Sequence, residues 1–302
     1  MRGLSNMKKC IKIFISVFYK LLLISGLSCI TTLNAQELKI HYGLGADATG
    51  STVVNDESGN GFNGSLVSGA KIATYDGIKI IDLGNSNGYV NIGTQFGVVI
   101  AALQDFTVES KVLIPSSTDI SGDGNFVWSF AHSNNNATDA NGCMFFSAKD
   151  SRYAISPRHW NGEQVVTSGN ALGKDTWETI IYTQKDSVGK VFIDGILVKS
   201  GKISMSPGKL GSTAFNYLGR SCYSADAYLK NAKIADFRLY EGALSTSQVE
   251  QLSGISSQNF GASILLKYEF NTLKDTAGRY TGILQNGASL NSYGGLSVVQ
   301  LG

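Results

Sequence analysis

Apolar and polar residues alternate along most of this chain, with almost no helical periodicity. Alternation with a period of two is the pattern of a half-buried β-strand. It predicts strands over the following segments: Phe106–Ile114, Phe126–Phe130, Cys143–Ala148, Thr179–Thr183, Lys190–Ile193 and Ile234–Tyr240. In the second strand, Phe126, Trp128 and Phe130 are expected on one face. Short strands separated by Gly- and Asn-rich turns are typical of an all-β fold, an antiparallel two-sheet sandwich.

Two local signals add a turn and a helix to this prediction. The pair Asp194-Gly195 separates two apolar segments and predicts a two-residue hairpin turn. Ser245 and Gln248 have the spacing of a helix-capping box and are followed by Val249 and Leu252. One short helix is therefore predicted near the carboxy-terminal end of the sandwich.

Part of the sequence occurs twice. Three segments recur in the same order: Leu38–Tyr42 as Leu266–Phe270, Asp56–Gly59 as Asp275–Gly278, and Tyr75–Gly84 as Tyr293–Gly302. A spacing of about 220 residues is too long for a solenoid and indicates a domain repeat. We expect a sandwich over residues 36–253, a linker over 254–263, and the truncated start of a second copy over 264–302. The first copy continues well past Gly84, so a longer protein is expected.

The first 35 residues have the pattern of a targeting segment. Basic residues precede the apolar run Leu21–Ile30, and a small residue, Ala35, follows it. This predicts a secretory signal peptide over residues 1–35 and a periplasmic, cell-surface or extracellular protein. A lipoprotein signal ending at Cys29 is the alternative. The apolar run is too short to cross a bilayer, so membrane insertion is not expected.

The predicted signal peptide, residues 1–35, also accounts for the net positive charge of the chain. The chain has 25 basic and 23 acidic residues, and residues 1–35 contain five of the basic ones and no acidic one. The remainder is slightly negative, which gives no reason to expect a nucleic-acid partner. Beyond the leader only Cys143 and Cys222 remain as cysteines. In an exported protein such a pair is a candidate disulfide, and two separate buried thiols are the alternative.

An ordered series of short motifs runs through the predicted sandwich: Asp105–Glu109, Trp177, Val191–Gly195, Leu218–Arg220, Ile234–Tyr240 and Ala243–Ser245. From Leu38 to about Leu252, the series resembles the laminin-G-like branch of the concanavalin A-like lectin/glucanase superfamily. Lys111 stands where this pattern has tryptophan, and Asp236 is a single acidic residue where two are common. The resemblance implies a jelly-roll sandwich, of a type that often serves as a carbohydrate-binding or adhesive module of secreted bacterial enzymes.

The glycine-rich loop Asp56–Gly64 is the candidate metal site. Calcium binds carboxylate and carbonyl oxygens, and glycines let a loop curl so that such oxygens converge. The candidate ligands are Asp56, Asn60, Asn63 and, if the terminal strands are neighbours, Asp236. These residues predict a structural calcium ion. The alternative is a turn in which Asp56 bonds nearby backbone.

An aromatic and polar stretch between two predicted strands is the candidate carbohydrate site. Its residues are Arg158, His159, Trp160 and Asn161, with Arg152, Tyr153 and Tyr223 as further members. Aromatic faces stack on sugar rings, while Arg, His and Asn side chains bond sugar hydroxyls. In the alternative interpretation Trp160 is packed against the protein and the two arginines form a solvated rim.

The sequence lacks the motifs of a catalytic site. Superfamily glucanases carry paired carboxylates in an E-x-D-x-E strand, and no glutamates here have that spacing. We therefore expect a secreted, non-catalytic, lectin-like module that binds a polysaccharide or glycan. It is expected to be the amino-terminal part of a larger glycan-degrading enzyme with a covalently linked catalytic domain. The alternatives are a cell-surface protein-interaction or adhesion domain, and a spacer.

Overall fold

The computed structural model describes residues 36–132, 142–158, 160–253, 288–293 and 296–300. The chain divides into two compact units, residues 1–255 and 256–302. The predicted leader, the predicted linker and His159 lie outside the described residues.

In the described part of the first unit there are sixteen strands. In chain order they are β1 (Glu37–Tyr42), β2 (Val53–Val54), β3 (Gly64–Val67), β4 (Lys71–Tyr75), β5 (Ile78–Asp82), β6 (Tyr89–Asn91), β7 (Phe106–Leu113), β8 (Phe126–Ala131), β9 (Cys143–Ser147), β10 (Arg152–Ser156), β11 (Gln164–Thr167), β12 (Trp177–Lys185), β13 (Val188–Ile193), β14 (Ile196–Lys202), β15 (Phe215–Leu218) and β16 (Lys233–Glu241).

These strands form two eight-stranded sheets. The first sheet has the order β14-β13-β12-β7-β16-β5-β4, with β1 also paired to β16, and the second has the order β11-β10-β9-β8-β15-β6-β3-β2. Neighbouring strands in both sheets are antiparallel. The predicted jelly-roll sandwich is thus confirmed, and the pairing of β1 with β16 makes the terminal strands neighbours, as expected.

Two local predictions are also confirmed. Asp194 and Gly195 have φ values of 49° and 78°, the left-handed conformation that a two-residue hairpin turn requires. Helix α2 (Thr246–Leu252) begins at Ser245, whose hydroxyl accepts from the Gln248 N–H while the Gln248 side chain accepts from the Ser245 N–H.

A second helix, α1 (Gly97–Ala102), was not predicted. It is one and a half turns of apolar residues without a side-chain cap, so the sequence carries no start signal for it. Ile100 is fully buried, and tertiary packing therefore stabilises this helix.

The main core lies between the two sheets and is rich in aromatic side chains. Tyr153 of β10 stacks on Tyr182 of β12 with ring centroids 3.8 Å apart, and Phe106 of β7 packs against both. Trp128 of β8 lies 6.0 Å from Tyr153. Tyr153 is completely buried, so its predicted role in sugar binding is wrong: the pleat of β10 turns it inward.

A bulge in β8 separates residues that the alternation placed together. The pairing of β8 with β9 shifts register between Phe126 and Trp128. Trp128 and Phe130 face the core, but Phe126 belongs to a separate apolar cluster on the outward side of the second sheet. The prediction that all three aromatic residues share one face is therefore wrong.

In the second unit the structure describes one hairpin, β17 (Ser289–Tyr293) and β18 (Leu296–Gln300). Its closing pair, Tyr293 with Leu296, corresponds in the repeated sequence to the closing pair of β4 and β5, Tyr75 with Ile78. The matching register supports the predicted second copy, which stays a prediction.

We expect Tyr153→Ala to lower the free energy of unfolding by about 3–5 kcal/mol, because it removes a buried ring that bridges the sheets. Urea unfolding monitored by circular dichroism measures the change. Val165→Ala, on the adjacent strand and 37% exposed, is the control and should cost below about 1 kcal/mol. Equal losses in the two variants would contradict the core position of Tyr153.

Candidate functional site

A pocket of about 860 Å³ opens on the outward side of the second sheet, away from the core. Its walls come from β8, β9 and β10, from the turn before β8, from the turns that follow β9 and β10, and from the segment after β15. The lining residues are Asp123, Gly124, Phe126, Phe145, Ser147, Lys149, Asp150, Arg152, Trp160, Glu163, Tyr223, Ala225, Asp226 and Ala227.

The floor of the pocket follows from the pleat of β9. Phe146 points into the main core, and its neighbour Phe145 therefore points outward. All five residues of β9 are nevertheless buried, because the segment after β15 places Cys222 and Tyr223 over the outward side. The second sheet is thus covered on both sides at this point.

Aromatic rings form one wall of the pocket. Phe126 and Phe145 stack nearly parallel, 3.8 Å apart, and Tyr223 meets Phe145 edge-on at 6.3 Å. Burial raises the pKa of the Tyr223 phenol far above its usual value, so the group stays protonated. Trp160, in the 3₁₀ turn Trp160–Gly162, is 64% exposed and provides an open aromatic surface at the rim.

Arg152 of β10 organises the polar part. Its guanidinium lies 5.2 Å from the centre of the Phe145 ring, a cation–π contact. The same group is 2.6 Å from Glu163 and 3.3 Å from Asp150. Burial raises the pKa of the Glu163 carboxyl, although the Arg152 charge acts in the opposite direction.

Two further charged groups of the lining lie before β8 and after β15. Asp226 accepts a hydrogen bond from the Ser221 hydroxyl at 2.7 Å, and burial raises the pKa of its carboxyl. Asp123 lies 3.4 Å from the Lys149 ammonium and is largely exposed. The pocket therefore combines aromatic faces with acceptors and donors at several positions, the combination that holds polar ring-shaped ligands.

The structure brings only some of the predicted sugar-binding residues together. Trp160 and Tyr223 line the pocket, whereas Tyr153 lies in the core. Arg158 and Asn161 are exposed but do not belong to the lining.

Several lining residues were missed, among them Phe145, Glu163 and Asp226. One signal was present: Cys143–Phe146 is a continuous apolar run, typical of a strand that is covered on both faces. Glu163 and Asp226 carry no local signal, since only the fold brings these distant positions of the sequence to the same pocket.

Cys143 and Cys222 lie in the same outward apolar cluster, as the predicted disulfide would require. Both are free buried thiols in the structure, so the bond is not formed there. Burial raises the pKa of the Cys222 thiol, and the Cys143 sulfur is 3.2 Å from the Tyr223 hydroxyl. The two thiols are hydrogen-bonded to each other, and the disulfide stays a prediction.

The predicted calcium ligands are engaged in hydrogen bonds within the protein. The Asp56 carboxylate accepts from the backbone N–H groups of His41, Ser58 and Phe62 at 2.9–3.0 Å. Asn63 Oδ1 accepts from the Asp56 N–H, and the Asn60 amide donates to backbone carbonyls of β1.

Asp236, the fourth predicted ligand, lies on β16. Its carboxylate is 3.2 Å from His41 Nε2 and 3.0 Å from the Arg238 guanidinium. Within the described residues no group of three or more His, Cys, Asp or Glu side chains has the arrangement of a metal site. The bonds of Asp56 are those of the turn alternative, and the calcium ion stays a prediction.

A laminin G model of the concanavalin A-like lectin/glucanases superfamily matches residues 83–250, more than half of the chain. The chain belongs to this superfamily. Among curated proteins no significant match was found. In the part of this concanavalin A-like chain that the structure describes, no helix has the length and apolar character needed to cross a membrane.

Solved structures share the fold at low identity. Domain 4 of AbnA, an extracellular GH43 arabinanase from Geobacillus stearothermophilus solved with arabinotriose, superposes with a TM-score of 0.54 at 16% identity, covering 72% of this chain and 98% of that domain. The botulinum neurotoxin serotype D/C binding domain gives 0.52 at 13% identity, covering 74% and 53%. The binding domain of Paraclostridial Mosquitocidal Protein 1 gives 0.50 at 17% identity, covering 72% and 52%. This chain thus spans about half the length of the two toxin domains.

We expect Asp56→Ala to lower the free energy of unfolding by about 2 kcal/mol, since three backbone N–H groups lose a charged acceptor. Urea unfolding with and without millimolar calcium measures this. The turn arrangement predicts the same unfolding midpoint with calcium and with chelator. A midpoint that rises with calcium in the native chain and not in Asp56→Ala would contradict it.

The stabilisation by Asp56 should disappear in acid. Burial acts to raise the pKa of its carboxyl, but hydrogen bonds from Ser58, His41 and Phe62 outweigh this and lower it below the ordinary 3.8. A lowered folded-state pKa gives stability that is present above the ordinary value and is lost as pH falls through the folded one. The difference between native chain and Asp56→Ala should therefore shrink below about pH 4. A constant difference down to pH 2 would contradict this origin.

Proposed function

We propose that the first unit is a secreted, non-catalytic carbohydrate-binding module and that it binds glycan in the pocket on the outward side of the second sheet. The observation that carries this proposal is the exposed Trp160 ring at the rim of a pocket with further aromatic walls. Aromatic faces pack against the apolar C–H faces of sugar rings, and a largely exposed tryptophan needs no movement of the fold to do so.

The polar groups supply the second requirement of sugar binding. Sugar hydroxyls both donate and accept hydrogen bonds. Glu163, Asp150 and Asp226 offer acceptors around the aromatic wall, and Lys149 and Arg152 offer donors. Arg152 is held in place by Phe145 and Glu163, so its donors are ordered before a ligand arrives.

The related structures support a glycan as the ligand class. The arabinanase domain was solved with arabinotriose, and cell entry of botulinum neurotoxin type C, another protein with this fold, depends on interaction with two ganglioside molecules. The arabinanase is extracellular and places this fold in a larger enzyme, which agrees with a secreted module linked to a catalytic domain. Export and linkage stay part of the proposal.

Replacement of the rim tryptophan tests the site. Trp160→Ala should weaken binding of the full chain to its glycan at least about tenfold, since stacking on an aromatic ring is lost. A glycan array identifies the ligand, and calorimetry gives the affinities. Ile196→Ala is the matched control, because Ile196 is 62% exposed and lies on β14 of the first sheet.

Either of two results would overturn this proposal. If Trp160→Ala binds as tightly as Ile196→Ala, the pocket is not the site. If the array is silent, the adhesion and spacer alternatives gain support, and protein capture by the native chain would separate those two.

The non-catalytic part of the proposal has its own test, because carboxylates are also the residues that glycosidases use. Glu163 is bound to Arg152 and Asp226 to Ser221, so both carboxyls already have partners inside the protein. We expect no release of reducing ends from a bound polysaccharide. Release that Glu163→Gln abolishes would contradict this expectation.

A further inference from the structure

The pocket is lined by more carboxylates than cations. Its acidic residues are Asp123, Asp150, Glu163 and Asp226, and its basic residues are Lys149 and Arg152. We infer that the pocket selects neutral saccharides and rejects saccharides that carry carboxylate or sulfate groups. This inference rests on the proposed function, since it names the class of glycan that the same pocket takes.

The more buried cation of the lining already has anionic partners. A ligand carboxylate or sulfate is held by a cation whose N–H groups point at it, and Arg with two parallel bonds is the strongest such group. Arg152 directs its guanidinium to Glu163 at 2.6 Å and to Asp150 at 3.3 Å, over the Phe145 ring. The Arg152 charge is therefore already paired with two carboxylates, and an incoming anion would meet both of them.

Lys149 does not make the net charge of the pocket positive. Its ammonium lies 3.4 Å from the Asp123 carboxylate, whose side chain is 90% exposed at the mouth of the pocket. Asp226 accepts a hydrogen bond from a neutral hydroxyl, and within the described residues it forms no ion pair with a cation of the lining. Since residues 36–302 also carry more acidic than basic residues, the rest of the protein does not offset this field.

The same carboxylates favour a neutral ligand. Each can accept hydrogen bonds from sugar hydroxyls, which carry their own protons and no charge. Glu163 is only 12% exposed, so an anion placed beside it would lose water and meet a like charge. A neutral sugar replaces that water with hydroxyl donors at no electrostatic cost.

The test uses pairs of glycans that differ only in charge, applied to the full chain. The pairs are methyl-esterified and de-esterified galacturonan, xylan with and without glucuronic acid, and asialo and sialylated oligosaccharides. For any backbone that binds, we expect the charged member to bind at least about fivefold more weakly than the neutral member at low salt. This is the repulsion expected on a ligand charge from a net charge of about two carboxylates at roughly 8 Å in water. The ratio should fall toward one in 0.5 M salt, because salt screens exposed charges.

A single charge removal shows whether the pocket causes the selection. Asp123→Asn keeps the shape of an exposed side chain and should improve binding of the charged member by about two- to threefold. This gain is measured relative to the neutral member in the same variant, because Asp123 itself lines the pocket. Asp76→Asn makes the same charge change at an exposed turn between β4 and β5 and should leave both affinities as they are.

The outcomes separate the two proposals. Tight binding of charged members, or equal effects of Asp123→Asn and Asp76→Asn, would overturn the selectivity and leave glycan binding intact. Failure of every pair to bind would overturn both proposals. Charge-dependent binding that survives Trp160→Ala would also overturn the inference, since the site would then lie elsewhere.

Discussion

Tyr153 stacks on Tyr182 between the two sheets, 3.8 Å from ring to ring, and this contact determines which side of β10 faces the core. Because side chains alternate along a strand, an inward Tyr153 forces Arg152 and Ala154 outward. The pairing of β10 with β9 then sets Phe145 beside Ala154 on that outward side. A slip of one residue would bury the Arg152 charge in an aromatic core and turn Tyr153 and Ile155 outward, so the register is strongly specified.

The pocket depends on this register and on one segment that covers part of the outward side of the sheet. The segment after β15 folds back over the outward side and buries Cys222 and Tyr223 against Cys143 and Phe145. It leaves the adjacent surface open, where Arg152 is held between an aromatic ring and two carboxylates. Rigid strands thus supply the aromatic floor and the ordered guanidinium, while turns supply Trp160 and most of the acidic groups. Such a division is typical of binding sites, in which loops vary on a fixed scaffold.

Local sequence signals predicted local structure well. Asp194-Gly195 and the Ser245–Gln248 box are self-contained, so the turn and helix α2 formed as expected. Trp160 was chosen as a candidate because it is an aromatic residue within a polar stretch between strands, and it lines the pocket. Tyr153 was misassigned even though its alternation with Arg152 and its shared face with Ile155 already indicated burial. The bulge beside Phe126, the uncapped helix α1 and the position of Asp226 in the pocket depend on long-range packing, which no short window of sequence contains.

The central claim is that glycan binds on the outward side of the second sheet. Its most direct test is to titrate the full chain with glycan and to monitor its three tryptophan indole N–H groups by nuclear magnetic resonance. Each indole reports on a different place: Trp160 at the pocket rim, Trp128 in the core, and Trp177 on the first sheet. With the tightest-binding oligosaccharide from the array, the Trp160 resonance should shift progressively while that of Trp177 stays in place. A shift of Trp177 with an unchanged Trp160 would contradict the claim and move the site to the other sheet.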